Sequence, residues 1–315
     1  MTPPDRMRAW RVHQFGGPEV LQLDTAPVPS PGPGEVLVRV TAASINPVDW
    51  KMRGGYLRAG VQIALPRVLG RDCAGTIITV GEDVSDLAVG QAVGGVTDPA
   101  KHGTHAEYAV LPTAQIAPIP SGVAPEMAAS LCISGLSAYI PLVEDAQVAP
   151  GQRVLIHAGA GGVGGIAIQI ARHLGAEVFV TCSATNRHYC MRLGATRAID
   201  YNTEDFVAVA SECDVVLDTL GGETHVRSQK VLKPGGMLAA LNAAPVPSVP
   251  PREDIRILAA RIQPTRERLQ RLFDWAASGV LRSTVEPPFP FERAPDAYRL
   301  SESGHARGKL VISFA

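Results

Sequence analysis

Gly159-Ala160-Gly161-Gly162-Val163-Gly164 has the spacing G-x-G-x-x-G. It sits between an apolar run, RVLIHAG from Arg153, and the segment GVGGIAIQIARHLG, where Ile166, Ile170 and Leu174 recur on one helical stripe. Glycines so placed permit a tight turn and bring the first amides and the positive end of the helix dipole close to a pyrophosphate. The chemistry expected here is dinucleotide binding. Alone, the pattern also fits a structural glycine turn; its place inside a strand–helix–strand unit favours the cofactor reading.

An NAD site carries Asp or Glu about 20 residues further on, where a carboxylate grips the ribose 2′-hydroxyl. This chain has Cys182-Ser183-Ala184 there, and Ser183, Arg187 and Tyr201 are the groups available to face a 2′-phosphate. NADPH is the expected cofactor. The competing reading of Arg187 is a solvated helix residue. Hydride transfer is the cofactor's own chemistry, so the protein must supply donors where charge develops on an acceptor oxygen, and the candidates are Lys51 and, on the family resemblance given below, Asn46 and Tyr56. Each has a plainer reading: Asn46 before Pro47 as a strand terminator, Lys51 as a solvated helix charge, Tyr56 as a core aromatic with a hydrogen-bonded hydroxyl. His157 reads as a core residue of a buried strand, and Cys73 as a small buried apolar side chain.

The elements that must position these groups change character along the chain. From Met7 to about Pro120, short β-rich runs (MRAWRVH, EVLVRVTAASI, CAGTIITVG, AEYAVLP) alternate with Gly/Pro turns. From Pro125 to about Val143 the apolar spacing is helical. After Arg153, strands and amphipathic helices alternate: EVFVTCS, RAIDY, CDVVLDTL and MLAALN as strands, with a helix ending near Lys233-Pro234-Gly235-Gly236. The fold class expected is α/β, a Rossmann doubly wound parallel sheet with a second, β-rich domain. Ala244 to Pro251 is a Pro-rich loop and a candidate lid. RILAARIQ reads as a further strand, TRERLQRLFDWAAS as a helix capped by Thr265 and stopped by Gly279, and the tail as a helix and a last strand.

At 315 residues, two domains are expected. A formal net charge of -1 gives no field that would attract a polyanion, so nucleic acid is not an expected partner. No stretch reads as the roughly 20 apolar residues of a membrane span, so no membrane partner is expected either. No secretory signal is apparent at the start. The five cysteines are odd in number and form no C-x-x-C pair, which fits reduced thiols in the cytoplasm.

Three blocks in order, Ser44-Ile45-Asn46-Pro47-Val48-Asp49, then Val154 through Gly164, then Gly304-His305-Ala306-Arg307-Gly308-Lys309, resemble the medium-chain dehydrogenase/reductase superfamily, in its zinc-free quinone oxidoreductase and enoyl reductase branch. The resemblance spans nearly the whole chain. It implies a GroES-like β-rich catalytic domain over 1–122 and 266–315, a Rossmann domain over 123–265, and a homodimer. It further implies that Ser137 and Asn46 lie near the nicotinamide, that Tyr56 lies beside the substrate, and that Tyr201 packs on the 2′-phosphate end. Zinc-dependent relatives place a Cys near residues 42–45 and Gly-His-Glu where this chain has Gly70-Arg71-Asp72, and Val89 to Val110 contains no cysteine for a structural zinc lobe. His102 and His105 are the only close histidine pair, and they read as surface loop histidines rather than metal ligands. Many relatives carry Lys or Arg where Thr185 and Asn186 stand, so Arg187 alone remains to supply positive charge.

Without zinc ligands to stabilise an alkoxide, reduction of a quinone or an α,β-unsaturated carbonyl is expected over alcohol oxidation. Two alternatives stay open: a non-catalytic NADPH-binding protein with a structural or regulatory role, and an enoyl reductase acting on a carrier-bound intermediate.

Overall fold

The strand pattern of the first residues sets one face of the β-rich region. β1 (Arg6–Val12) buries Met7, Ala9 and Val12 and exposes Arg6 and Arg8, the alternation of a half-buried strand. The computed structural model describes residues 2–56, 64–241, 244–248, 250 and 252–314. Val249 and Pro251 of the expected lid lie outside the described residues.

The chain divides into two compact units, one of Met1–Ile133, Pro264–Gly279 and Ser283–Ala315, the other of Ser134–Gln263 and Val280–Arg282. In the first, β1 pairs with β2 (Leu21–Pro27), and later with β4 (Arg67–Val68). β3 (Glu35–Ser44) runs through the middle of a larger sheet and is buried over most of its length. It ends at a short helix, α1 (Pro47–Arg53). The remaining strands before the second unit are β5 (Asp72–Val80), β6 (Ala92–Val96), β7 (Tyr108–Pro112) and β8 (Ile116–Pro118). Helix α2 (Pro125–Tyr139) then runs from the first unit into the second.

The second unit contains β9 (Arg153–Ile156), α3 (Gly162–His173), β10 (Glu177–Cys182), α4 (Arg187–Leu193), β11 (Arg197–Asp200), α5 (Phe206–Val209), β12 (Cys213–Asp218), α6 (Gly222–Ser228), β13 (Leu232–Ala240) and β14 (Arg256–Ala259). Its six strands are all parallel, in the order β11-β10-β9-β12-β13-β14. The order reverses between β9 and β12, the switch point of a doubly wound sheet. α7 (Arg266–Ala277), β15 (Phe289–Pro290), α8 (Ala294–Glu302) and β16 (Val311–Ser313) complete the first unit, whose larger sheet runs β15-β16-β3-β5-β6-β8 with β7 also on β3. Thr265 caps α7 by accepting from the Arg268 amide, and Gly279 follows that helix at φ +77.

Three sequence expectations need correction. The helix expected to end near Lys233 to Gly236 ends at Ser228, and those residues belong to β13. Pro234 has no amide hydrogen and Gly235 sits at φ +79, so the chain bulges and the pairing with β12 jumps from Cys213↔Leu232 to Val215↔Met237. The strand expected across RILAARIQ is only Arg256–Ala259, because its partner β13 ends opposite it at Ala240. Finally, the helical stretch Pro125–Asp145, 21 residues with mean hydropathy 1.4, is long and apolar enough to cross a membrane; 72% of its apolar window is buried in the protein, as in a core helix.

Candidate active site

The glycine turn begins where β9 leaves the sheet. The amide of Gly159 donates to Thr181 O on β10 and that of His157 to Leu217 O on β12, which fixes the turn between two neighbouring strands. A Cβ on Gly164 would stand 2.3 Å from Ala158 O and 2.7 Å from Gly159 Cα, so only glycine lets α3 start this close to its own approach strand. Gly161 is the N-cap in extended conformation and supplies no side-chain cap. The first-turn amides of α3, around Gly162, Val163 and Gly164, have no intrahelical acceptors. Ala160 is buried, while Gly161, Gly162 and Val163 are half exposed. Ile166, Ile170 and Ala171 bury the opposite face of the helix. A helix end with bare amides and room for backbone approach fits a diphosphate.

Ser183 and Tyr201 directly follow the carboxyl ends of β10 and β11, where the Tyr201 amide donates to Cys182 O, and Arg187 opens α4. Tyr201 is 58% exposed. The Ser183 hydroxyl lies 3.0 Å from Thr185 Oγ1 and accepts from Asn186 Nδ2 at 3.1 Å, which shapes the turn into α4. Two carboxylates absent from the sequence reading stand here. Asp200, opposite Cys182, is buried and turned onto Asn202 and Thr203, and these hydrogen bonds hold its pKa below the ordinary value. Glu204 pairs with both Arg187 and Arg197 and accepts from the Asp200 amide. Arg187 is therefore a braced cation whose side chain is still 42% exposed. The spacing Arg187 to Glu204 carries no periodic signal, because the partner comes from the turn after the next strand.

Ser137 is buried on α2. His157 is buried too, between Thr181 Oγ1 at 3.0 Å and Ser228 Oγ at 2.8 Å, and burial depresses its pKa, so it is a neutral core residue. Cys73 and the other four cysteines are free and buried.

In the first unit, Asn46 is the N-cap of α1. Its amide donates to Asp49 Oδ2 at 2.7 Å, one half of a capping box. The side chain is 2% exposed and fully engaged. Nδ2 donates to Asp72 Oδ1 at 2.9 Å and to Ser44 Oγ at 3.3 Å, and Oδ1 accepts from Lys309 Nζ at 2.7 Å. Both amide hydrogens are spent on Asp72 and Ser44, which argues against the direct-donor role expected of Asn46 and for a positioning one. Asp72 also accepts from Ser44 Oγ at 2.6 Å and from the Ile133 amide at 2.9 Å. His105 Nε2 must donate to Ser44 O at 3.1 Å, so Nδ1 accepts from the Tyr298 hydroxyl at 2.8 Å. Burial pushes the Asp49 carboxyl up to about 7 and that of Asp72 upward, and pulls Lys309 down and His105 down to about 4.

Lys51 and Tyr56 sit at the other end of α1. The Tyr56 amide donates to Lys51 O, and its ring covers Gly54, where a Cβ would meet Cε2 at 2.4 Å. Tyr56 is 72% exposed, so it is no core aromatic. Lys51 is half-buried, its ammonium 5.6 Å from the Trp50 ring centroid and its pKa lowered by burial. A cavity of about 430 Å³ in the same unit, lined by Met7, Arg67 and Tyr108 among others, contains none of these groups.

A β-rich unit followed by a doubly wound dinucleotide-type sheet defines a class of oxidoreductases, and comparison with known proteins agrees. Residues 32–121 match the alcohol dehydrogenase GroES-like domain family, and residues 193–312 match the family described as zinc-binding dehydrogenase. The chain belongs to the medium-chain dehydrogenase/reductase superfamily. Its relatives place it in the zinc-free quinone oxidoreductase and enoyl reductase branch. It is similar to 2-methylene-furan-3-one reductase of Solanum lycopersicum, 35% identical over 98% of this chain and 79% of the relative. It is 34% identical to the chloroplastic NADPH-dependent alkenal/one oxidoreductase of Arabidopsis thaliana, over 98% of this chain and 80% of that one. Among solved structures, the quinone oxidoreductase from Coxiella burnetii superposes with a TM-score of 0.88 at 33% identity, over 98% and 99% of the two chains.

One matched family is described as zinc-binding, and the residues here do not fit zinc. Among the described residues, no three His, Cys, Asp or Glu side chains stand together as a ligand set. The stretch Ala42-Ala43-Ser44-Ile45 holds no Cys, and Gly70-Arg71-Asp72 holds neither His nor Glu. Asp72 is committed to hydrogen bonds, and the ammonium of Lys309 is its nearby cation.

Proposed function

We propose that the protein is a zinc-independent, NADPH-dependent oxidoreductase that transfers hydride to a quinone or an α,β-unsaturated carbonyl. The observation that carries this is the glycine turn, whose bare amides at Gly162 to Gly164 fit a diphosphate and whose Gly164 admits no side chain. The relatives named above reduce enones or quinones by their names, and one is NADPH-dependent by its name. When bound, NADPH supplies the hydride.

The chain's own residues do the rest. Amides of Gly162, Val163 and Gly164 hold the diphosphate, with Gly159, Ala160 and Gly161 shaping the turn, the Gly161 amide being tied to Ala158 O. Arg187, Ser183 and Tyr201 receive the 2′-phosphate end, and Ser137 serves the nicotinamide end. Lys51 and Tyr56 donate to the acceptor oxygen as negative charge grows on it, a task suited to an ammonium whose pKa burial has already lowered. Asn46 fixes the start of the helix that carries both. The five free thiols fit a cytoplasmic setting. A homodimer fits the edge strand β14, whose Ile257 is exposed at a sheet edge that pairs with no further strand among the described residues.

The test is loss of NADPH absorbance with p-benzoquinone and with methyl vinyl ketone as acceptors. Turnover with either is expected. Tight NADPH binding with no turnover on any acceptor would overturn the proposal.

A further inference from the structure

Lys309 belongs to the block Gly304 to Lys309, which helped to recognise the family but has no role in the mechanism above. Its side chain is 3% exposed. The ammonium donates to Ile45 O at 2.6 Å and to Asn46 Oδ1 at 2.7 Å, atoms 264 and 263 residues away in the chain. The tail holds it there by two further ties: the Ile45 amide donates to Leu310 O, and Val311 pairs with Ser44 across β16 and β3. Burying an ammonium costs heavily unless it is compensated, and the carboxylates of Asp72 and Asp49 compensate it through space. A methionine would fill the same volume without that cost. What the ammonium adds is direction.

Its hydrogen bond decides which way the Asn46 amide faces: oxygen to Lys309, nitrogen to Asp72 and Ser44. With the backbone of Asn46 tied to Asp49 in both directions, the entry to α1 is fixed from two sides. α1 has seven residues, too few to hold its place by helix propensity alone. Lys51 lies one turn beyond Pro47, and Tyr56 follows from the last turn. A shift of about 1 Å at such groups can cost about a hundredfold in rate.

We propose that Lys309 is a positioning residue for the acceptor side of the site, locking the Asn46-Pro47 entry to α1 and thereby placing Lys51 and Tyr56. The kinetic part rests on the reductase reading; the structural part does not.

The experiment is a double-mutant cycle of Lys309→Met and Asn46→Ala, read by acceptor kcat/KM, by NADPH affinity from fluorescence titration, and by hydrogen exchange of the α1 amides. Each single variant is expected to lower acceptor kcat/KM about tenfold, with NADPH affinity held within about twofold, and the double variant to be no worse than either because the pair acts as one unit. Exchange at Asp49 to Arg53 should quicken in all three. Additive losses of about a hundredfold in the double variant, or unchanged exchange in Lys309→Met, would overturn the proposal. If Lys309→Met gives no cooperative melt, Lys309→Arg takes its place. It keeps the buried charge and moves the donors, so the same losses are expected, and wild-type kinetics with wild-type exchange would show that charge alone matters. A wild-type protein without turnover sinks the reductase reading and leaves the exchange result to decide Lys309.

Discussion

In the second unit the groups that meet a cofactor are backbone amides at one turn, whereas in the first unit the acceptor-side helix is held by buried side chains drawn from both ends of the chain. The turn Gly159 to Gly164 needs only the absence of Cβ atoms and a helix that starts on time. The network of Asp72, Asn46, Asp49, Lys309 and His105 needs each partner in place, since a buried polar group that loses its partner bears the whole desolvation cost. Backbone recognition is fragile to added bulk. Side-chain networks are fragile to lost partners.

The largest effect should come from adding bulk to the turn. Gly164→Val puts a branched side chain where a Cβ already stands 2.3 Å from Ala158 O, and NADPH affinity should fall by about a hundredfold or more in a fluorescence titration. An unchanged affinity would erase the contrast between the two units. Next, Lys51→Met removes a donor from the acceptor side and leaves the cofactor side alone. Its kcat with an enone should drop about a hundredfold at nearly constant NADPH affinity, the low end of what loss of one oxyanion donor costs. A parallel drop in cofactor binding would mean that Lys51 is not an acceptor-side group.

A smaller effect is expected at the 2′-phosphate end. Arg187→Ala removes one of the two cations paired to Glu204 and should cut the preference for NADPH over NADH about tenfold, measured as the ratio of the two kcat/KM values. An unchanged ratio would leave Arg187 as a brace for Glu204 alone.

The smallest effect is on stability. With its carboxyl raised to about 7 by burial, Asp49 binds a proton in the folded state across the range from about 3.8 to 7, where the unfolded chain has released it. Its contribution is present below that range and is lost as pH rises through it. His105, depressed to about 4, acts oppositely: the unfolded chain binds more protons up to about 6.5, so stability climbs with pH there. The groups acting on Asp49 are Asp72, Lys309 and Arg71, together with the Asn46 amide. Asp49→Asn should therefore make urea stability rise more steeply between about pH 4 and 6.5 than in the wild type. A shallower rise would reverse the sign assigned to Asp49.

How much was readable beforehand follows the same divide. The glycine turn and the cap at Thr265 rest on contacts within a few residues, and the strands of the parallel sheet show as short apolar runs, so spacing alone exposes them. α1 shows in the sequence only through Lys51 read as a helix charge, because seven residues hold no apolar period, although Asn46 and Asp49 three apart, with Pro47 between, are a capping signal for its start. The bulge of β13 escaped because Lys233 to Gly236 reads as a helix stop, and only pairing with β12 reveals a strand. Lys309 was legible as part of a motif but not as a partner of Asn46, because nothing local links positions 263 residues apart.

That separation also sets an order of events during synthesis. The strand that closes beside β3, and the ammonium that settles Asp49 and Asp72, leave the ribosome after every residue of the parallel sheet. The nascent β-rich segment thus waits with two carboxylates uncompensated while the domain encoded after it already has all its strands. The amino-terminal unit therefore lacks a strand and a buried cation until residues 309–313 exist, whereas every strand of the parallel sheet is encoded by Ala259.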